Sequence, residues 1–116
     1  MSLNPSSPAA AADLRKSASI FAALGDETRL RLVAALCAGG AMSIAQLTLG
    51  TDITRQAITK HLQALAQAGL VHDIKVGRER QWAFDPTHIE AARRSLEMIS
   101  QQWDLALHRL KLVVEG

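Results

Sequence analysis

The sequence predicts a mainly helical domain with one small β-hairpin, in the order helix, helix, helix, helix, hairpin, helix. Three observations carry that prediction. Between Ala9 and Asp85 there is no proline, and glycines fall where helical patterns stop. A period change from helical to alternating occurs once, over residues 70–84. A long apolar repeat of helical spacing then fills residues 86–114. At 116 residues, 48% hydrophobic and 21% charged, the chain suits one domain with a modest core that gains from added burial against a partner.

Residues 1–12, with two prolines, three serines and no charge, read as a disordered tail without function, and residues 13–116 as the folded domain. The tail lacks the positive charge and apolar stretch of a secretory signal, and no apolar run is long enough for a membrane span. A first helix over 13–24 places Leu14, Ala18, Phe21 and Leu24 on one face, and Gly25 ends it. Asp26 caps the next helix, about 27–38, with Leu30, Val33, Ala34 and Cys37 as the buried stripe before Gly39 and Gly40. Cys37 is thereby a small core filler. One cysteine allows neither an internal disulfide nor a thiolate cluster, which points to a reducing compartment.

Ser43-Ile-Ala-Gln46 is a capping box that opens a short helix to about Leu49. Thr54 caps a fourth helix that runs to Ala68, where Gly69 stops it. Residues 70–76 and 81–84 form the hairpin around the turn 77–80. Asp85-Pro86 is an N-cap and first-turn proline for the last helix.

The fourth helix has two unlike faces. Ile58, Leu62 and Leu65 point inward, while Arg55, Gln56, Thr59, Lys60 and Gln63 face solvent. From Arg55 to Gln67 there are two cations and no acid, whereas a solvated face usually mixes signs. Arg can fork onto guanine and Gln onto adenine in a major groove, and Thr can touch a base edge or phosphate. Residues 54–82 carry five basic and two acidic side chains, against eight and nine elsewhere, within a net charge of +2. Lys75, Arg78 and Arg80 flank the hairpin turn, where they can grip phosphates. A merely solvated helix beside a basic loop is the competing reading. The adjacency of two basic elements favours double-stranded DNA as the partner. Ser43 and Ala57 are counted in the same surface, and His61, just off it, as a phosphate contact.

On the last helix Ile89, Ala92, Leu96, Ile99, Trp103, Ala106, Leu110 and Val113 recur at 3-4 spacing. Such a seam is a pairing face, with Leu14, Phe21, Leu107 and Val114 added to the interface; the alternative is that it packs only on its own core. Trp82 and Phe84 pack the hairpin onto the core, and His72 has no obvious partner. There is no Gly-rich phosphate loop, no paired carboxylate cleft and no Cys/His or Ser/His constellation, so catalysis is not expected.

The whole order resembles a winged helix-turn-helix domain, and the residues resemble the ArsR family of bacterial transcriptional regulators. Leu24-Gly-Asp-Glu-Thr-Arg-Leu-Arg-Leu-Val33 is similar to the family's opening signature, and Ile53-Thr-Arg-Gln-Ala-Ile-Thr-Lys-His-Leu62 to its recognition helix. Ala68-Gly-Leu-Val71 resembles the helix stop and first wing strand, and Gly77-Arg78 with Trp82 and Phe84 the wing. The likeness spans about residues 14–114. It implies a cytoplasmic homodimeric repressor on a palindromic operator, with Thr54, Arg55, Gln56, Thr59, Lys60 and His61 in the DNA-reading segment. Metal-sensing members often carry a Cys-x-Cys type motif before the turn, where this chain has Ala41-Met-Ser-Ile-Ala45. Asp104 and His108, at i,i+4, and His88 are the remaining metal candidates, but the family's paired histidine spacing is absent and the pair equally suits a helix surface. No cofactor is expected. A protein-interaction module on the same scaffold and a metal-responsive repressor using Asp104 and His108 remain alternative functions.

Overall fold

A computed structural model describes residues 4–116. Its elements are α1 (Pro8–Leu24), α2 (Glu27–Gly39), α3 (Ile44–Thr48), α4 (Arg55–Gln67), β1 (Val71–Val76), β2 (Glu79–Phe84), a 3-10 turn (Pro86–His88) and α5 (Ile89–Glu115). The four-helix, hairpin, helix order is the one the sequence predicts.

The N-terminal segment corrects the reading of a tail to residue 12. Residues 1–3 lie outside the described residues, but α1 starts at Pro8, five residues early. Ser7 accepts the Ala10 N–H at 3.1 Å through its hydroxyl, and proline in the first turn has no N–H to leave unsatisfied. The Ser-Pro pair that looks like loop composition is a helix start.

The core gathers Ile20, Leu32, Leu36, Leu47, Ile58, Leu62, Leu65, Leu70 and Trp82. Here α2 departs from expectation. It buries Leu32 and Leu36, leaves Leu30 52% exposed, and puts Cys37 on the surface rather than in the core. The hairpin also differs. β2 begins at Glu79, so Glu79 and Arg80 are strand residues and the connection is only Gly77-Arg78. Gly77 has φ +64, and no non-glycine among the described residues has positive φ. That combination matches a type II′ turn, which suits the twist of the flanking strands. Met42 adds a single antiparallel bridge to Trp82, closed by N–H···O bonds of 2.9 and 2.7 Å, which fastens the hairpin to the segment before α3. As expected, Trp82 is buried and Phe84 packs against the core.

α1 and α5 pack closely through small residues. Ser17 and Ser95, both fully buried, share a 2.8 Å hydrogen bond, and Arg94 forks onto the Asp13 carboxylate at 2.8 and 2.9 Å. Beyond Gln102 every α5 residue is exposed, so the helix projects and the molecule extends 64 × 30 × 20 Å.

Several carboxylates are held below their ordinary range. Asp13 is lowered by the hydrogen bond from Arg94, Asp26 by the Arg29 backbone N–H, Asp85 by Thr87 and Glu90 by Arg93. A carboxylate with a lowered folded-state pKa binds fewer protons folded than unfolded. Its contribution is present above the unfolded value and disappears as pH falls through the folded one. The unfolding midpoint is therefore expected to hold from neutral pH to about pH 4 and to drop below it. A midpoint that stayed level down to about pH 3 would contradict these pairings.

Candidate nucleic-acid interface

α3 and α4 are set by their caps. The Ser43 hydroxyl accepts the Gln46 N–H at 3.1 Å, and the Gln46 side chain accepts the Ser43 N–H at 2.9 Å. This completes the predicted capping box and leaves Ser43 only 8% exposed. At α4, the Thr54 hydroxyl accepts the Ala57 N–H at 3.1 Å. Ile58, Leu62 and Leu65 have no exposed surface, which fixes the helix's rotation on the core.

That rotation sends Arg55, Gln56, Lys60 and Gln63 outward. All four are exposed, and among the described residues none of their side chains has a hydrogen-bond or ion-pair partner. Thr59 is half-buried and donates its hydroxyl to the Arg55 carbonyl at 2.8 Å, and Ala57 is half-buried beneath the face. His61, expected at a phosphate, is half-buried. It turns toward α2, where its Nδ1 lies 3.9 Å from the Asp26 carboxylate that caps that helix. Three of the eight residues of this segment assigned to DNA thus point into or along the fold, and the free polar set is Arg55, Gln56, Lys60 and Gln63, with Thr54 at its edge.

On the hairpin, Lys75 stands directly opposite Arg80 in the register. Like charges facing each other across a strand pair are unfavourable without a counter-charge. Arg80 answers this within the chain, its Nε 3.2 Å from Asp73. Lys75 and Arg78, at and beside the tip, are exposed and remain available to an anion. His72, unassigned in sequence, has its Nδ1 3.4 Å from Asp85.

α5 divides its apolar residues between two sides. Ala91, Ala92, Ser95 and Met98 are buried within the chain, with Ala92 belonging to the core rather than to a free seam. Leu96, Ile99, Trp103, Leu107, Leu110 and Val114 are between 49% and 77% exposed along the helix. Leu14 and Phe21 are half-buried, and Ile89 packs partly against the chain's own core. Asp104 and His108 are exposed, and among the described residues no group of three or more His, Cys, Asp or Glu side chains could hold a metal ion. His88 lies over Gly69, where an added Cβ would sit 2.4 Å from its ring. With φ +80 and that ring above it, Gly69 can only be glycine, and His88 serves packing. Among the described residues no helix is long and apolar enough to cross a membrane.

The sequence has clear relatives. A helix-turn-helix domain model matches residues 24–74. The HTH-type transcriptional regulator Rv2034 of Mycobacterium tuberculosis is 35% identical over 85 residues, covering 73% of this chain and 76% of that protein. The arsenical resistance operon repressor of Escherichia coli is 30% identical over 97 residues, covering 84% and 80%. A solved ArsR-like transcriptional regulator from Rhodococcus sp. RHA1 superposes with a TM-score of 0.69 at 38% identity, over 86% of this chain and 93% of that one. With its hairpin folded as a wing beside a capped helix pair, the chain belongs to the ArsR family of winged helix-turn-helix DNA-binding transcriptional regulators.

Proposed function

We propose that this regulator is a homodimeric repressor that reads a palindromic operator with α4 and grips the flanking backbone with its wing. The observation that carries the reading is the side of α4 opposite Ile58, Leu62 and Leu65, where the side chains of Arg55, Gln56, Lys60 and Gln63 have no partner among the described residues. Two such helices related by a two-fold axis sit about 34 Å apart, one turn of DNA, and so read an inverted repeat. The free apolar run of α5 supplies the pairing face. The kinship with an arsenical resistance operon repressor supports repression over activation. The chain acts by binding rather than catalysis, and no metal enters this reading.

The test separates base readout from backbone grip. Arg55→Ala or Gln56→Ala is expected to cost about 1–3 kcal/mol and to relax preference at one operator position. Lys75→Ala or Arg78→Ala should weaken all sequences alike and reduce the salt slope by about 1 each. Both series are measured by titrating promoter fragments recovered with the protein at several salt concentrations. Unchanged affinity in both would remove the reading. Absence of salt-dependent DNA retention would favour a protein-interaction module that meets its partner through α5 or the wing.

A further inference from the structure

A cavity of about 790 Å³ lies between α2, α3 and the turn that leads into α4, away from the exposed α4 face and from α5. Its floor is apolar: Leu32 and Leu47 are buried, Ile58 of α4 is fully so, and Ala35 opens the space between them. At the mouth Leu49 is 78% exposed, an apolar lip that the fold does not cover. This size, an apolar floor and a few polar groups at the rim are the features of a small-molecule site.

The rim carries two charged side chains, and they are not equivalent. Arg31 is engaged by Glu27 at 2.8 Å, one turn back on α2. Asp52, in the turn before α4, has no hydrogen-bond or ion-pair partner among the described residues. The Arg31–Glu27 pair sums to no net charge, which leaves the Asp52 carboxylate as the uncompensated group at the opening. An apolar body would fill the floor, and a protonated amine at its end would meet Asp52.

We infer that this cavity is a binding site for small organic cations with an apolar ring or chain. Its occupant touches Ile58 on the inner side of α4 and the turn that sets the start of that helix, so the site shares a wall with the reading element. The inference concerns a surface distinct from the DNA face.

The test uses the full-length chain labelled with ¹⁵N and three probes of one shape: 3-phenylpropylammonium, 3-phenylpropanol and 3-phenylpropionate. The ammonium is expected to give saturable amide shifts at Leu32, Ala35, Leu47 and Ile58, and to bind about fivefold more tightly than the alcohol, with the carboxylate weakest. Asp52→Asn, at an exposed position, should remove the difference between ammonium and alcohol and leave the alcohol unchanged. Ala35→Leu, which narrows the floor, should abolish binding of all three in a chain whose helical circular dichroism is intact. If Ala35→Leu does not fold, the Asp52→Asn comparison decides alone. Shifts confined to α5, equal binding of ammonium and carboxylate, or no saturable shift by about 10 mM would each overturn the site. No DNA is present, so a failure here leaves the operator reading standing, and loss of operator binding leaves this site standing.

Discussion

The double variant Ile99→Glu/Trp103→Glu is expected to sediment as a monomer and to lose about 10²- to 10⁴-fold in affinity for a two-half-site operator. Both side chains stand outside the core cluster, 49% and 66% exposed. Neither belongs to the core cluster, so helical circular dichroism should be preserved. In a dimer the same positions would be covered, and each new carboxylate would be buried without a partner, a penalty of several kcal/mol per charge. Losing the pair turns a linked, two-site engagement into a single weak one. A stable dimer carrying both substitutions would show that pairing uses another face. A monomer with full operator affinity would show that the two-fold arrangement is not needed.

Elements with strong local signals were readable from sequence. The capping box at Ser43, the Thr54 cap and the Gly69 stop are each satisfied within a few residues of chain, and α3 and α4 follow. Elements that depend on distant partners were less so. In α2 two apolar rows share the helix, one through Leu30, Ala34 and Cys37 and one through Leu32 and Leu36. Periodicity finds both rows and cannot choose between them. The choice is made by the core that assembles on one side, where Ile58, Leu62 and Trp82 meet Leu32 and Leu36, and Cys37 goes with the row left outside.

The same limit explains α5 and the site. An apolar count sees one seam, but the chain divides it: Ala91, Ala92, Ser95 and Met98 are buried within the protomer, and Leu96, Ile99 and Trp103 are left exposed. Sequence spacing puts His61 close to the reading face but cannot show its approach to the Asp26 cap, 3.9 Å away on another helix's end. Ser43 caps α3 in a corner where it is only 8% exposed, its hydroxyl accepting the Gln46 N–H, and the sequence motif shows the cap but not the burial.

Leu62→Ala is expected to destabilise the protein by about 2–5 kcal/mol, read as a lower urea midpoint with little change in slope. Leu62 has no exposed surface and lies in the middle of α4, where the helix meets the core. The truncation leaves a void that its core neighbours cannot close without moving. Because pairing adds to apparent stability, wild type and variant must be compared at one protomer concentration. The partner measurement is Arg55→Ala, one position inside the Thr54 cap and with no side-chain hydrogen bond or ion pair among the described residues, which should change stability by less than about 0.5 kcal/mol while weakening DNA binding. One thirteen-residue helix then shows two separable energies, burial on one side and recognition on the other. If Leu62→Ala left the midpoint in place, α4 would not be seated as described, and the outward aim of Arg55, Gln56, Lys60 and Gln63 would lose its cause.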